Sequence, residues 1–174
     1  MSNSINNTEM NTENKVATFE TTPVWKLVLL SLATFGLYDL VWSYRYWKIL
    51  KEDFEYDVLP PLRAIFMGFT NFWLFNILDK YMKSFKINSI RPVGLALLYL
   101  LFNICGKSDE VNIFLIAFLG VIPLAIIQHK INIINEKNNL PAKVNNWNTA
   151  NTIWTILGII FLALAIIGFC IPEE

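Results

Sequence analysis

Residues 24–48, VWKLVLLSLATFGLYDLVWSYRYWK, constrain the fold more than any other stretch of the chain. Twelve uncharged, mostly apolar residues run from Leu27 to Tyr38. A dense aromatic and basic collar follows: Trp42, Tyr44, Arg45, Tyr46, Trp47 and Lys48. Trp and Tyr favour the headgroup level of a bilayer, and Lys and Arg favour its cytoplasmic side. The expectation is a transmembrane helix over 24–43 whose inner end the collar marks. Thr21, Thr22 and Pro23 suit its start, with a hydroxyl cap ahead of proline in the first turn.

The rest of the chain agrees with a membrane setting. Apolar residues make up 55% of its 174 positions and charged residues 16%, against roughly 25% charged in soluble domains. Fourteen acids balance fourteen bases, and there is neither a Gly-rich phosphate loop nor a basic aromatic array, so nucleic acid is not an expected partner. The two cysteines, Cys105 and Cys170, lie near the ends of apolar runs without a CxxC pair or a Cys/His cluster. They read as buried thiols rather than a zinc or redox site, with an outer-face disulfide as the lesser alternative. His129 is the only histidine, beside Lys130. It reads as an interfacial residue, and no cofactor, metal or catalytic set is expected.

Taken in order, residues 1–22 are polar and too poor in apolar side chains to offset their ordering entropy, so a disordered tail is expected. A single helical membrane domain covers 23–172. After the collar, the hydrophilic span 49–59 stops at Pro60 and Pro61. Residues 62–78 are apolar but have no clean polar face, and basic residues flank them on both sides. If this stretch crossed, one basic cluster would lie outside, so an interfacial or re-entrant helix is expected. Further spans are expected over 92–106, 111–128 and 152–171. The third is kinked at Pro123 and continues as an amphipathic helix, and Gly158 and Gly168 admit a close neighbour to the last. The fold class is thus all-α, with about four transmembrane helices and one re-entrant aromatic helix.

Two sets of polar residues stand out. Asp39, Asn71, Asn76 and Asn103 fall within or beside apolar stretches, where polar groups need a partner or a water-lined path. Asp39 reads either as a carboxylate neutralised near the inner headgroups or as a proton- or ion-sensitive group. Gln128, Asn132, Asn135 and Asn139 recur at spacings of four, three and four, which places them on one helical face. That amide stripe either bonds a neighbouring helix or loop, or is a solvated face. With the collar inside and 62–78 not crossing, eleven of the fourteen Lys and Arg fall on inner segments 44–92 and 128–152. Both termini are then expected outside.

The stretches LSLATFGLYDLVWSYRYWKILKE, LPPLRAIFMGFTNFWLF, QHKINIINEKN and WNTANTIWTILGIIFLALAIIG together resemble small bacterial multi-pass membrane proteins grouped as domains of unknown function. The resemblance rests on a T-x-G-x-Y…W-x-Y-x-x-W first helix (Thr34, Gly36, Tyr38, Trp42, Tyr44, Trp47) and on Pro61, Arg63, Ala64 and Phe66. It covers residues 24–171 and implies no activity, while the Asn-, Ile- and Lys-rich composition and small size suit a bacterial inner membrane. The expected role is that of a non-enzymatic integral membrane protein, an accessory, scaffold or lipid-interacting component. Its partners would be membrane lipids, anionic at the inner face, with a protein partner or a homo-oligomer also open. The alternative is an oligomeric channel or transporter using the intramembrane polar residues.

Overall fold

The computed structural model describes residues 18–105, 117–149, 151–153, 155, 156 and 158–160. All regular elements among them are helical. They are α1 (Val24–Ala33), α2 (Leu37–Glu52), α3 (Pro60–Ile65), α4 (Met67–Ser84) and α5 (Pro92–Cys105), a 3-10 turn (Ala117–Gly120), α6 (Val121–Lys137) and helical residues within Asn151–Ile160, here α7. A lone bridge joins Thr21 to Val144.

The expected single crossing over 24–43 is instead a helical hairpin. Helix α1 ends after ten residues, where Phe35 and Gly36 take left-handed φ of 51° and 83°. The N–H of Gly36 donates to Ser31 O and that of Phe35 to Leu32 O. This paired closure satisfies carbonyls at a helix end and reverses the chain. Thr34 Oγ1 donates to Leu30 O and accepts from the N–H of Tyr38, which tightens the corner. Past it, α2 runs back along α1 far enough for Tyr46 to stack on Phe19, with ring centres 5.1 Å apart. Ten residues of helix rise about 15 Å, roughly half of a ~30 Å hydrocarbon core.

The tail is corrected as well. Its last residues, 18–22, are an extended segment packed into the core, with Phe19 fully buried. They lie against α6 and the 143–145 loop. The start of α1, the collar and the segment 128–148 therefore share one end of the bundle, the collar end. The expected placing of residues 18–22 and of 128–152 on opposite faces does not hold.

Helices α3 and α4 replace the expected single helix over 62–78, and α4 continues to Ser84. Helix α4 runs antiparallel to α5. Tyr99 OH reaches Met67 Sδ at 3.2 Å near one end, and Asp79 Oδ1 accepts from the N–H of Ile90 at 2.9 Å near the other. Helix α5 forms where a helix is expected over 92–106, and its 14 residues place it among the shorter apolar helices. Residues Phe118–Lys137 form the one helical stretch, among the described residues, long and apolar enough to cross a membrane. Residues 111–116 of the expected 111–128 span and 161–171 of the expected 152–171 span lie outside the described residues, as does Lys107. Pro123 is the residue at which a kink is expected in this stretch. It occupies the first turn of α6, where a missing N–H costs no helical bond, and the turn before it is accordingly 3-10.

Gly158 of α7 packs against the Ala33 carbonyl at the tip of α1, and a Cβ there would overlap that backbone. At Gly68 a Cβ would meet only Leu100 Cδ1, at an ordinary 3.7 Å. Gly158→Ala should therefore lower stability by about 1–3 kcal/mol. Gly68→Ala should be neutral or raise it by up to about 1 kcal/mol. Thermal unfolding in detergent followed by circular dichroism distinguishes the two, and equal midpoints would remove the close crossing.

Candidate functional site

Three amides of α6 build the most connected polar group in the molecule. Gln128 is fully buried. Its Oε1 accepts from Trp42 Nε1 at 2.8 Å and from Tyr46 OH at 2.9 Å, and its Nε2 donates to Glu20 O and to Asn132 Oδ1. Asn132 Nδ2 donates to Thr22 O at 2.7 Å, and Asn135 Nδ2 to Phe19 O at 2.9 Å. The amide face thus serves residues 19–22 as a neighbouring strand would. On the other side, the N–H of Thr21 donates to Lys143 O, and Thr21 O accepts from the N–H of Asn145. A backbone without helix or sheet of its own is satisfied from both sides, as burial requires. Asn139, the fourth expected member, is not part of this clasp. It is exposed, with φ of 45°, and forms the left-handed residue that closes α6.

Beside the clasp sits Lys26, in the first turn of α1 and only 1% exposed. Its Nζ donates to Asn145 O, Asn145 Oδ1 and Asn146 O at 2.7–3.0 Å, and it lies 5.9 Å from the Trp147 ring centre. This ammonium is solvated by carbonyl dipoles rather than by a carboxylate. Nothing about an isolated Lys in an apolar run signals such a cage.

The collar residues divide by side. Trp42, Tyr46 and Trp47 are buried, the first two on Gln128, so they are core rather than headgroup anchors. Burial first, and then the nearby Glu20 carboxylate, push the Tyr46 phenol well above its ordinary range, so it remains a donor. Tyr44 and Lys48 are exposed, and Arg45 pairs with Glu20 at 3.5 Å. These three face a polar concavity of about 700 Å³ toward Lys143 and Trp147. Its bases are offset by Glu20, Glu52 and Asp53 in the same walls.

The four candidate intramembrane polar residues do not come together as a path. Asp39 is buried and accepts from Ser31 Oγ at 2.5 Å across the hairpin. Asn71 is fully buried, and neither side-chain atom has a partner among the described residues. Asn76 and Asn103 are exposed and turn back to the carbonyls of Phe72 and Tyr99 in their own helices.

A second concavity, about 620 Å³, opens between α2, α3 and α4. Arg63 lies in it, with its guanidinium carbon 4.7 Å from the Trp47 ring centre and 5.9 Å from that of Trp73. Thr70 Oγ1 donates to Arg63 O and holds the corner between α3 and α4. Comparison with known proteins finds no family, no curated protein and no solved structure that matches this chain.

Two tests follow from this geometry. Gln128→Ala strands the Trp42 and Tyr46 donors and should cost about 3 kcal/mol. It should also free residues 18–22 so that chymotrypsin cuts after Phe19 many times faster, and an unchanged rate would contradict the clasp. Asp79, at the α4–α5 turn, is opposed by burial, but donors outweigh that: Lys83 Nζ at 2.6 Å, the N–H of Ile90 and Ser89 Oγ hold its carboxyl below the ordinary value. A depressed folded value stabilises above the ordinary 3.8 and is lost as pH falls below it. Wild type should lose thermal stability in that acid window more steeply than Asp79→Asn, and parallel curves would exclude the linkage.

Proposed function

We propose that this chain is a non-enzymatic integral membrane protein that interacts with lipids or supports partners through its collar end. One observation carries the reading: the described fold leaves large apolar side chains exposed along whole helix faces, while its apolar core also encloses polar groups. Its buried positions include Lys26, Asp39, Asn71, Asp79, Gln128 and Asn135. Its exposed positions include Leu62, Ile65, Phe69 and Trp73 on α3 and α4, and Val93, Leu97, Leu101 and Ile104 on α5. Ile65 and Phe69 are 68% and 66% exposed. Surfaces this apolar are not left to water in a monomeric soluble protein. In lipid they cost nothing, while backbone and amides must be satisfied internally.

In this reading the α1–α2 hairpin and the α3–α4 corner enter from the collar face without crossing, α5 and the α6 stretch cross, and the 152–171 segment makes a third crossing. Apart from Lys15 and Lys107, which lie outside the described residues, every Lys and Arg then falls on collar-side segments, as the positive-inside bias favours. The collar end faces the cytoplasm, and a bacterial inner membrane suits the chain's small size. The channel alternative has less support, because the expected polar residues are scattered or self-bonded.

The test is topological. In a background with Cys105→Ser and Cys170→Ser, single cysteines at Thr18, Lys83 and Lys143 should resist an impermeant thiol reagent added to intact cells. One at Lys107 should react. Labelling at Thr18 with protection at Lys143 would overturn the hairpin topology. Release of the protein from membranes by alkaline carbonate would overturn the membrane reading itself.

A further inference from the structure

The geometry points to the Arg63 groove as a binding site for one anionic phospholipid, whose phosphate pairs with the guanidinium while an acyl chain lies along the exposed face of α3 and α4. This inference rests on the membrane reading above and adds the site and the class of lipid.

Several features of the groove converge on that occupant. Arg63 has no carboxylate partner among the described residues, where Arg45, Lys48 and Lys83 each have one. Its guanidinium is not loose, because it stacks on the buried Trp47 and approaches Trp73. A guanidinium held over the Trp47 ring keeps N–H donors that match a phosphate in a bidentate fork. The surrounding walls, Leu62, Phe66, Trp73 and Ile77 among them, are apolar and offer no competing anion.

The same walls favour a lipid over a free phosphate. Leu62, Phe66 and Trp73 are exposed, and Ile65 and Phe69 lie on the same two helices. A cation at the mouth of an apolar groove suits a molecule that carries its anion and its hydrocarbon together. The other large concavity, beside Arg45 and Lys48, meets its bases with its own acids.

The test uses the full chain reconstituted in vesicles of equal phosphatidylglycerol and phosphatidylcholine, extracted gently and read by native mass spectrometry. Wild type should retain one phosphatidylglycerol in preference to phosphatidylcholine. Arg63→Gln should reduce that preference about tenfold, the loss expected when a charge-assisted pair is removed. Lys51→Gln, an exposed base away from the groove, should leave it unchanged. Trp73→Ala removes a largely exposed side chain from the groove wall and should weaken retention at least threefold. It keeps the inference testable if Arg63→Gln fails to fold.

Equal retention of both lipids by wild type, or full preference in a folded Arg63→Gln, would overturn the site. Displacement of phosphatidylglycerol by millimolar inorganic phosphate would overturn its assignment to a lipid. A protein that stays in the carbonate-washed membrane yet shows no preference refutes this inference alone. One that leaves with the carbonate refutes the membrane reading beneath it.

Discussion

The fold depends on one buried amide. Gln128 presents both ends of its side chain to groups that could not otherwise be satisfied: the Trp42 and Tyr46 donors on one side, and the Glu20 carbonyl and Asn132 on the other. Through it α6, the collar of α2 and the extended segment before α1 are held in one arrangement. A buried polar network specifies a packing through the partners its members find, and in this one Asn135 Oδ1 is the atom left without a partner among the described residues. Asn132 and Asn135 continue the pattern along the segment, and Lys26 anchors the loop that covers it.

That clasp explains why the first apolar stretch does not cross from one face to the other. Residues 19–22 must start beside α6 and Trp42 must end there, so the chain between them has to go out and return. Phe35 and Gly36 provide the reversal. The cost of a left-handed phenylalanine, about 1 kcal/mol, is borne at the single corner where a hairpin needs it. Asp39, close behind the corner, is met by Ser31 across the hairpin, which accounts for a carboxylate in an otherwise apolar stretch.

Much of this was legible in the residues. The start of a helix at Pro92 and the amphipathic continuation past 128 follow from proline and periodicity. The amide spacing identified Gln128, Asn132 and Asn135 as one face and left open whether a neighbour used it. Asn139 fell on the same spacing but lies past the helix end, where periodicity no longer applies. Phe19 and Glu20 looked like part of a polar tail, because a single aromatic among Asn, Thr and Glu does not announce a docked strand. Asp79 passed unmarked for a similar reason: its partners Ser89 and Ile90 lie ten residues on, beyond the reach of a helical pattern.

By itself, then, the sequence determined the helical class, the apolar character of the outer faces, the basic collar end and the amide row, since each depends on local composition and a repeat of three or four residues. Only the tertiary structure decided what those features meet. It turned the first span into a hairpin, drew residues 18–22 into the core, buried three of the collar aromatics and left Arg63 over the Trp47 ring without an acid among the described residues. The clasp that holds residues 18–22 and the collar depends on contacts between residues some 80–120 positions apart, and a pairing at that distance is set by satisfying buried polar groups, which no single stretch of the chain can express.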